Sequence, residues 1–144
     1  MNKFPIEIIH EISKYLTFAD KVNLKKSCLE INSKLEIVDF YNISFILARK
    51  LNTDILKNHL NITKLDASLG YQITDISFLT KLEKLDASNS TGLCQINQNM
   101  INGLNLITLK ARNNVNITNV SHMTKLKKLD ASGSCKITQN CLFN

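Results

Sequence analysis

The stretch "LNITKLDASLGYQITDISFLTKLEKLDAS", Leu60–Ser88, decides the fold because the chain repeats it. Offset by 44 residues and without a gap, "LNLITLKARNNVNITNVSHMTKLKKLDAS", Leu104–Ser132, matches it at 15 of 29 positions. Each copy holds two related units. The four units begin at Ile62, Leu82, Leu106 and Leu126 and open on the skeleton L/I-x-x-L-[DK]-A-[SR]. Three of them carry "LDAS"; the third carries "LKAR" at Leu109–Arg112. The first and third units run 20 residues to the next start and the second 24, its excess lying in "NSTGLCQINQNMING". The order is A-B-A′-B′, a duplicated two-rung module. Repetition at this period means stacked units that bury their apolar sides against one another.

Within a unit, period-two alternation turns the first, fourth and sixth positions of L-x-x-L-x-A inward and the residues between them outward. The inward alanines are Ala67, Ala87, Ala111 and Ala131, which narrow the interior. After the strand, "ITDISFL" places apolar residues every third position, spacing that suits a 3₁₀-like or extended return segment better than a long α-helix. The expected core is therefore a parallel sheet of about four strands. Cys94 and Cys135 hold equivalent places two rungs apart, about 10 Å, too far for a disulfide.

The unit resembles the leucine-rich repeat, and "ITDISFL" is similar to the return segment of the short internalin-like kind. Two positions depart from that pattern. Ala stands at the second apolar place of the L-x-L strand, and the ladder asparagine after the strand is Gly70, Ser90 or Ser134, kept only as Asn114. The resemblance implies a concave face lined by the outward columns Lys64, Lys84, Thr108, Lys128, then Asp66, Asp86, Lys110, Asp130, then Ser68, Ser88, Arg112, Ser132. Lys110 is thereby set between Asp86 and Asp130. The candidate target-binding residues are Lys84, Asp86, Lys110, Arg112, Lys128 and Asp130, centred on the odd rung. The competing reading is that Lys110 merely relieves repulsion along a column of aspartates.

Ahead of Leu60 the period becomes helical. "FPIEIIHEISKYL" has Pro5 at a first helical position and a stripe of Ile8, Ile12 and Leu16. "TFAD" follows, with Asp20 expected as the N-cap of "KVNLKKSCLEINSKL". A third apolar stretch, "ISFILARKL", precedes a short helix capped by Thr53 or Asp54.

Phe4, Pro5, Glu7, Ile8, Ile9, Ile12, Leu16, Asp20, Leu24 and Cys28 stand in a register that resembles the F-box. Phe4 replaces the usual Leu, and the Trp usual after the Cys is missing from the chain. Together the two parts resemble F-box/leucine-rich-repeat proteins of the kind encoded by giant viruses (mimivirus-like). The fold class expected is α+β: an F-box-like helical bundle over 1–45, a helical linker or cap over 46–59, and repeats over 60–144. The resemblance implies a substrate-recognition adaptor of an SCF-type E3 ubiquitin ligase. Phe4, Pro5, Ile8, Ile9, Ile12, Leu16 and Leu24 would dock a Skp-type adaptor of a cullin-RING ligase, and the repeats would hold an unidentified target protein. The alternative is a plain protein–protein interaction module whose helical head only caps the repeats.

Other function classes find little support. The net charge of +6 is divided as nine basic against seven acidic residues up to Leu60 and nine against five after it. No Lys/Arg run exceeds two residues, so no nucleic-acid partner is expected. No Gly-rich phosphate loop, nucleophile motif or paired metal ligands are present, and His10, His59 and His122 are scattered. No enzyme activity, catalytic residue, metal or cofactor is expected. Nor is a membrane span or a secretory leader. The four cysteines, lacking any Cys-x-x-Cys, are expected as reduced thiols in a cytoplasmic protein, host cytoplasm if viral.

Overall fold

The computed structural model describes residues 8, 11, 13–27, 35–41 and 43–138, and the chain divides into two compact units, residues 1–37 and 38–144. The division precedes the boundary expected at 45/46.

In the first unit, Ile8, Glu11 and Ser13 are helical, and helix α1 spans Phe18–Ser27. Asp20 is not its N-cap. Thr17 takes that place in a capping box: its Oγ1 accepts from the Asp20 amide at 3.2 Å, while the Thr17 amide donates to Asp20 Oδ2 at 3.1 Å. The Thr17 hydroxyl also donates to that carboxylate oxygen, at 2.6 Å. The pair satisfies two backbone amides, where Asp20 as cap would satisfy one. These bonds hold the Asp20 pKa below its ordinary value. Lys25 Nζ donates to the Leu35 carbonyl at 3.0 Å, and Leu35 and Ile37 are buried.

The second unit is built on one parallel sheet, ordered β1-β2-β3-β4-β5 as in the chain. The strands are β1 (Asp39–Phe40), β2 (Lys64–Asp66), β3 (Lys84–Asp86), β4 (Thr108–Lys110) and β5 (Lys128–Asp130). Helices α2 (Phe45–Lys50) and α3 (Thr53–Lys57) join β1 to β2, and the one-turn α4 (Gln98–Ile101) lies between β3 and β4. The other two connections carry tight turns, Leu79 N to Ile76 O at 3.0 Å and Met123 N to Val120 O at 2.9 Å, in keeping with their three-residue apolar spacing. The register is the one the repeat requires: Leu65 pairs Leu85, Leu85 pairs Leu109, and Leu109 pairs Leu129.

Five strands form where about four were expected. Strand β1 continues the column with Phe40 beside Leu65 and Asp39 beside Lys64. It satisfies the edge of β2, which would otherwise present unpaired backbone groups. The sequence carries a signal for it: Ile37 precedes Phe40 by three residues, as Ile62 precedes Leu65.

The interior follows the alternation. Ile62, Leu65 and Ala67, then Leu82, Leu85 and Ala87, then Leu106, Leu109 and Ala111 are all buried, together with Ile73, Ile76 and Leu79 from the return. Burial of each large aliphatic side chain contributes about 1.5–3 kcal/mol relative to exposure. In the last rung Leu126, Leu129 and Ala131 are only half-buried, since no described strand lies beyond β5.

Polar staples fix the rungs on the return side. The N-cap of α3 is Asn52, whose side chain accepts from Ile55 N at 2.8 Å, and not Thr53 or Asp54. Thr53 is buried instead, and its Oγ1 accepts from the amides of Thr74 at 2.8 Å and Asp75 at 3.2 Å. Gln98 plays the same part 44 residues on from Asp54, one place along from Thr53. Its Oε1 accepts from Thr118 N at 3.0 Å and Asn119 N at 2.9 Å, and its Nε2 donates to Asn119 O at 2.9 Å.

Candidate binding face of the sheet

With the leucines and alanines turned inward, the open face of the sheet is made by the residues between them. The registers Lys64–Lys84, Lys84–Thr108 and Thr108–Lys128 form one column, and Asp66–Asp86, Asp86–Lys110 and Lys110–Asp130 the next. Lys110 therefore stands between Asp86 and Asp130, as the repeat register implies.

The aspartates of "LDAS" have local work to do. Asp66 Oδ1 accepts from the Ser68 amide at 3.0 Å and the Ser68 hydroxyl at 2.6 Å. Asp130 Oδ1 does the same with Ser132, at 3.1 and 2.6 Å. Asp86 Oδ1 accepts from the Ser88 amide at 3.1 Å. The side chain of each aspartate thus closes a turn just past its strand. The Ser132 hydroxyl and amide, with smaller help from Arg112 and Lys110, hold Asp130 below the ordinary carboxylate range.

A second group is gathered by Tyr41, the residue after β1. Its hydroxyl donates to Asp86 Oδ2 at 3.3 Å, and Lys84 Nζ lies 3.7 Å from the centre of its ring. Lys110 Nζ lies 3.3 Å from the same Asp86 oxygen and 5.6 Å from the Tyr41 ring centre. Beneath this cover only 13% of the Asp86 side chain is exposed. Burial raises the Tyr41 pKa. The Tyr41 hydroxyl, then the Asp86 carboxylate, push the Lys110 ammonium up to about 12. At the far side, Lys64 Nζ pairs with Asp39 Oδ2 at 3.0 Å.

The face consequently has two halves. From β1 to Lys110 at the end of β4 the cations are engaged, Lys64 by Asp39, Lys110 by Asp86 and Lys84 by the Tyr41 ring, while Asp66 is held by its own Ser68. Over β4–β5, Arg112 and Lys128 are exposed, and among the described residues neither forms an ion pair within 4.0 Å. Beside the matched half, Ser68, Leu69, Asp86, Ser88, Ser90 and Thr91 line a shallow recess of about 180 Å³.

Of the residues selected from the sequence, Lys84, Asp86 and Lys110 are drawn together through Tyr41. Arg112, Lys128 and Asp130 lie on the adjoining open half. In the helical unit, Ile8 is 44% exposed, and Leu16 and Leu24 are half-buried. Phe4, Pro5, Ile9 and Ile12 lie outside the described residues. Tyr41 is not among the sequence candidates, because the clear repeat begins only at Leu60; the Ile37-x-x-Phe40 echo is the signal that places it next to a strand.

Among the described residues, no three His, Cys, Asp or Glu side chains are grouped to hold a metal ion. His122 is committed to the rung, its Nε2 lying 3.0 Å from the Ile101 carbonyl. Cys94 and Cys135 are free thiols; burial pushes the Cys94 thiol up to about 11, which suppresses the reactive thiolate. Among the described residues, no helix is long and apolar enough to cross a membrane. Compared with known proteins, the chain matches no family model, no curated protein and no solved structure.

Proposed function

We propose that the chain is a substrate-recognition adaptor of an SCF-type E3 ubiquitin ligase, its F-box-like head docking a Skp-type adaptor and its leucine-rich repeats holding a target protein in the cytoplasm. The observation that carries the binding role is the open sheet face, where charged side chains stand in register on a framework of buried leucines. Such columns present fixed chemistry to a partner at little ordering cost. The docking role rests on the resemblance of the stretch from Phe4 to Cys28. Two features are compatible with it: Ile8 is helical and 44% exposed, and the capping box at Thr17 and Asp20 fixes where α1 begins.

The mechanism is tethering. The aliphatic stripe that the sequence pattern sets at Ile8 and Ile12 would enter a groove on the adaptor. The rigid repeats would then hold the target near a ubiquitin-charged enzyme and raise its effective concentration there. No group of the chain itself takes part in the transfer.

Co-purification with a Skp-type adaptor tests this reading. The wild type is expected to retain the adaptor and the Ile8→Asp/Ile12→Asp variant to lose it. Failure of the wild type to bind, or equal retention by the variant, would leave a plain interaction module whose head only caps the repeats.

A further inference from the structure

We propose that the open half of the sheet face, centred on Arg112 and Lys128 with Lys110 at its border, binds an extended acidic segment of the partner protein. This rests on the reading of the repeats as the target-binding part and names the chemistry of the target.

Charge on this face is unevenly satisfied. Four aspartates stand on it, and each already has partners within the chain. Asp39 has Lys64, and Asp86 has Lys110, Tyr41 and the Ser88 amide. Asp66 and Asp130 have the amide and hydroxyl of their own serines. Of the cations, Lys64, Lys84 and Lys110 are matched in the same way, to Asp39, the Tyr41 ring and Asp86. Arg112 and Lys128 are exposed and, among the described residues, have no carboxylate within 4.0 Å. Asp66 and Asp130 keep their charge, each with Oδ1 taken by its own serine. On the open half the exposed cations Arg112 and Lys128 outnumber the one carboxylate there among the described residues, Asp130.

Spacing favours an extended peptide. Lys110 and Arg112 are two residues apart on extended chain, about 6.6 Å, and β5 lies about 4.8 Å beside β4. The ladder continues through Ala111, whose amide donates to Asp130 O at 2.7 Å, and Arg112 opens the turn closed by Asn114 N donating to Ala111 O at 3.0 Å. Alternate carboxylates of an extended segment recur at the same interval of about 6.6 Å. Arg112 adds a planar fork able to take a carboxylate through two bonds. A nucleic acid fits less well. The aromatic side chain on this face, Tyr41, is already covered by Lys84 at 3.7 Å, so it offers no platform for base stacking.

Fluorescence anisotropy on the full-length chain tests the proposal, with three labelled probes: a ten-residue peptide of alternating Glu and Ser, its Lys-for-Glu counterpart, and a 20-nucleotide single-stranded DNA. The Glu peptide should bind, weakening as salt rises, and the Lys peptide should not. Arg112→Glu/Lys128→Glu should weaken Glu-peptide binding at least tenfold, and the neutral Arg112→Gln/Lys128→Gln by a smaller factor. Lys81→Glu/Lys125→Glu changes charge equally, but at residues lining a different recess, with Thr63, Thr80 and Ile107. It should leave binding within twofold. Thermal melts confirm that each variant is folded. The proposal is overturned if the Glu peptide does not bind, if the control pair weakens binding as much as the Arg112/Lys128 pair, or if DNA binds more tightly through those same residues. Adaptor co-purification of the Arg112→Glu/Lys128→Glu variant separates the two readings. Retained adaptor with lost peptide leaves the docking reading intact, and peptide binding without any adaptor removes the docking reading alone.

Discussion

The rung from Ile62 and the rung from Leu106 are copies of one another, yet they are tied to their neighbours by different chemistry. In the first, Gly70 lies against Ile73, and the site is filled by hydrocarbon. In the second, the equivalent residue is Asn114, fully buried, with Nδ2 donating to Ala87 O at 2.8 Å and Ile96 O at 3.1 Å. Its Oδ1 accepts from Asn116 N at 2.9 Å. Beside it Asn113 adopts a φ of 57° and donates through Nδ2 to Ser90 Oγ at 3.2 Å. The difference follows from what precedes each copy. The second copy stacks on the 24-residue rung, which leaves the Ala87 and Ile96 carbonyls facing the interior. Asparagine supplies the donors that those carbonyls need. The same rung gives up Asp and Ser for Lys110 and Arg112, so the copy that grips the longer rung is also the one with altered outward chemistry.

The largest expected effect comes from removing that grip. Asn114→Ala strips the Ile96 carbonyl and the Asn116 amide of the Asn114 side chain and leaves the Ala87 carbonyl only the weak Cys94 thiol donor at 3.5 Å, which costs about 2–4 kcal/mol. Urea unfolding followed by circular dichroism would measure it. A loss below about 0.5 kcal/mol, under the net worth of a single hydrogen bond, would mean that the longer rung is held by its apolar contacts alone. The contrast between the two copies would then lose its energetic meaning.

Much of this is legible in the sequence, and the limits are physical. Leucine periodicity marks inward and outward positions because side chains alternate along a strand, so the place of Lys110 between Asp86 and Asp130 follows from spacing alone. Spacing also aligns Asn114 with Gly70, Ser90 and Ser134, so its amide side chain stands out from the other three units. Its partners stay hidden, because they are carbonyls that carry no side-chain signal. Tyr41 escapes for another reason: β1 keeps the spacing of the repeat but replaces Leu with Phe and loses the LDAS signature, and helical stretches surround it. Asp20 has the chemistry of a cap, but so does Thr17 three residues earlier. Which of them caps depends on backbone geometry that periodicity does not encode. The F-box-like stripe begins at Phe4, and most of its residues fall outside those described.

A smaller effect is expected at the matching glycine of the first copy. A Cβ on Gly70 would come within 2.9 Å of Ile73 Cγ1 and 3.3 Å of the Ala67 carbonyl oxygen. Ile73 is fully buried and has little room to turn away. Gly70→Ala should therefore cost about 1–3 kcal/mol by overpacking, again read from urea unfolding. Gly133 provides an internal check of a different kind. It adopts a φ of 74°, and a Cβ there would strike the Asn113 side chain, so its alanine variant should be destabilised through backbone strain as well as contact. A neutral Gly70→Ala would show that the first copy is looser than the second and that the hydrocarbon filling is not a tight fit.

The smallest effect concerns the outward face. Lys110→Asp restores the LDAS pattern but puts like charge between Asp86 and Asp130 and leaves the Tyr41 hydroxyl as the remaining cover over Asp86. Because the lysine is nearly half exposed, with 45% of its side chain accessible, the loss at neutral pH should not exceed about 1 kcal/mol. Its pH dependence is more telling. The folded-state pKa of Lys110 is raised to about 12 from an ordinary 10.5, so its stabilisation is present in full below 10.5 and lost as pH rises through about 12. The variant has no ammonium to lose. The stability gap between wild type and Lys110→Asp should therefore stay constant from about pH 7 to 9 and narrow above about 10.5, as unfolding curves at each pH would record. A gap that does not narrow would assign the effect to the added carboxylate alone. In that case the lysine of the odd rung would contribute no stability through Asp86 and Tyr41, and its part in the rung would lie in what it offers outward.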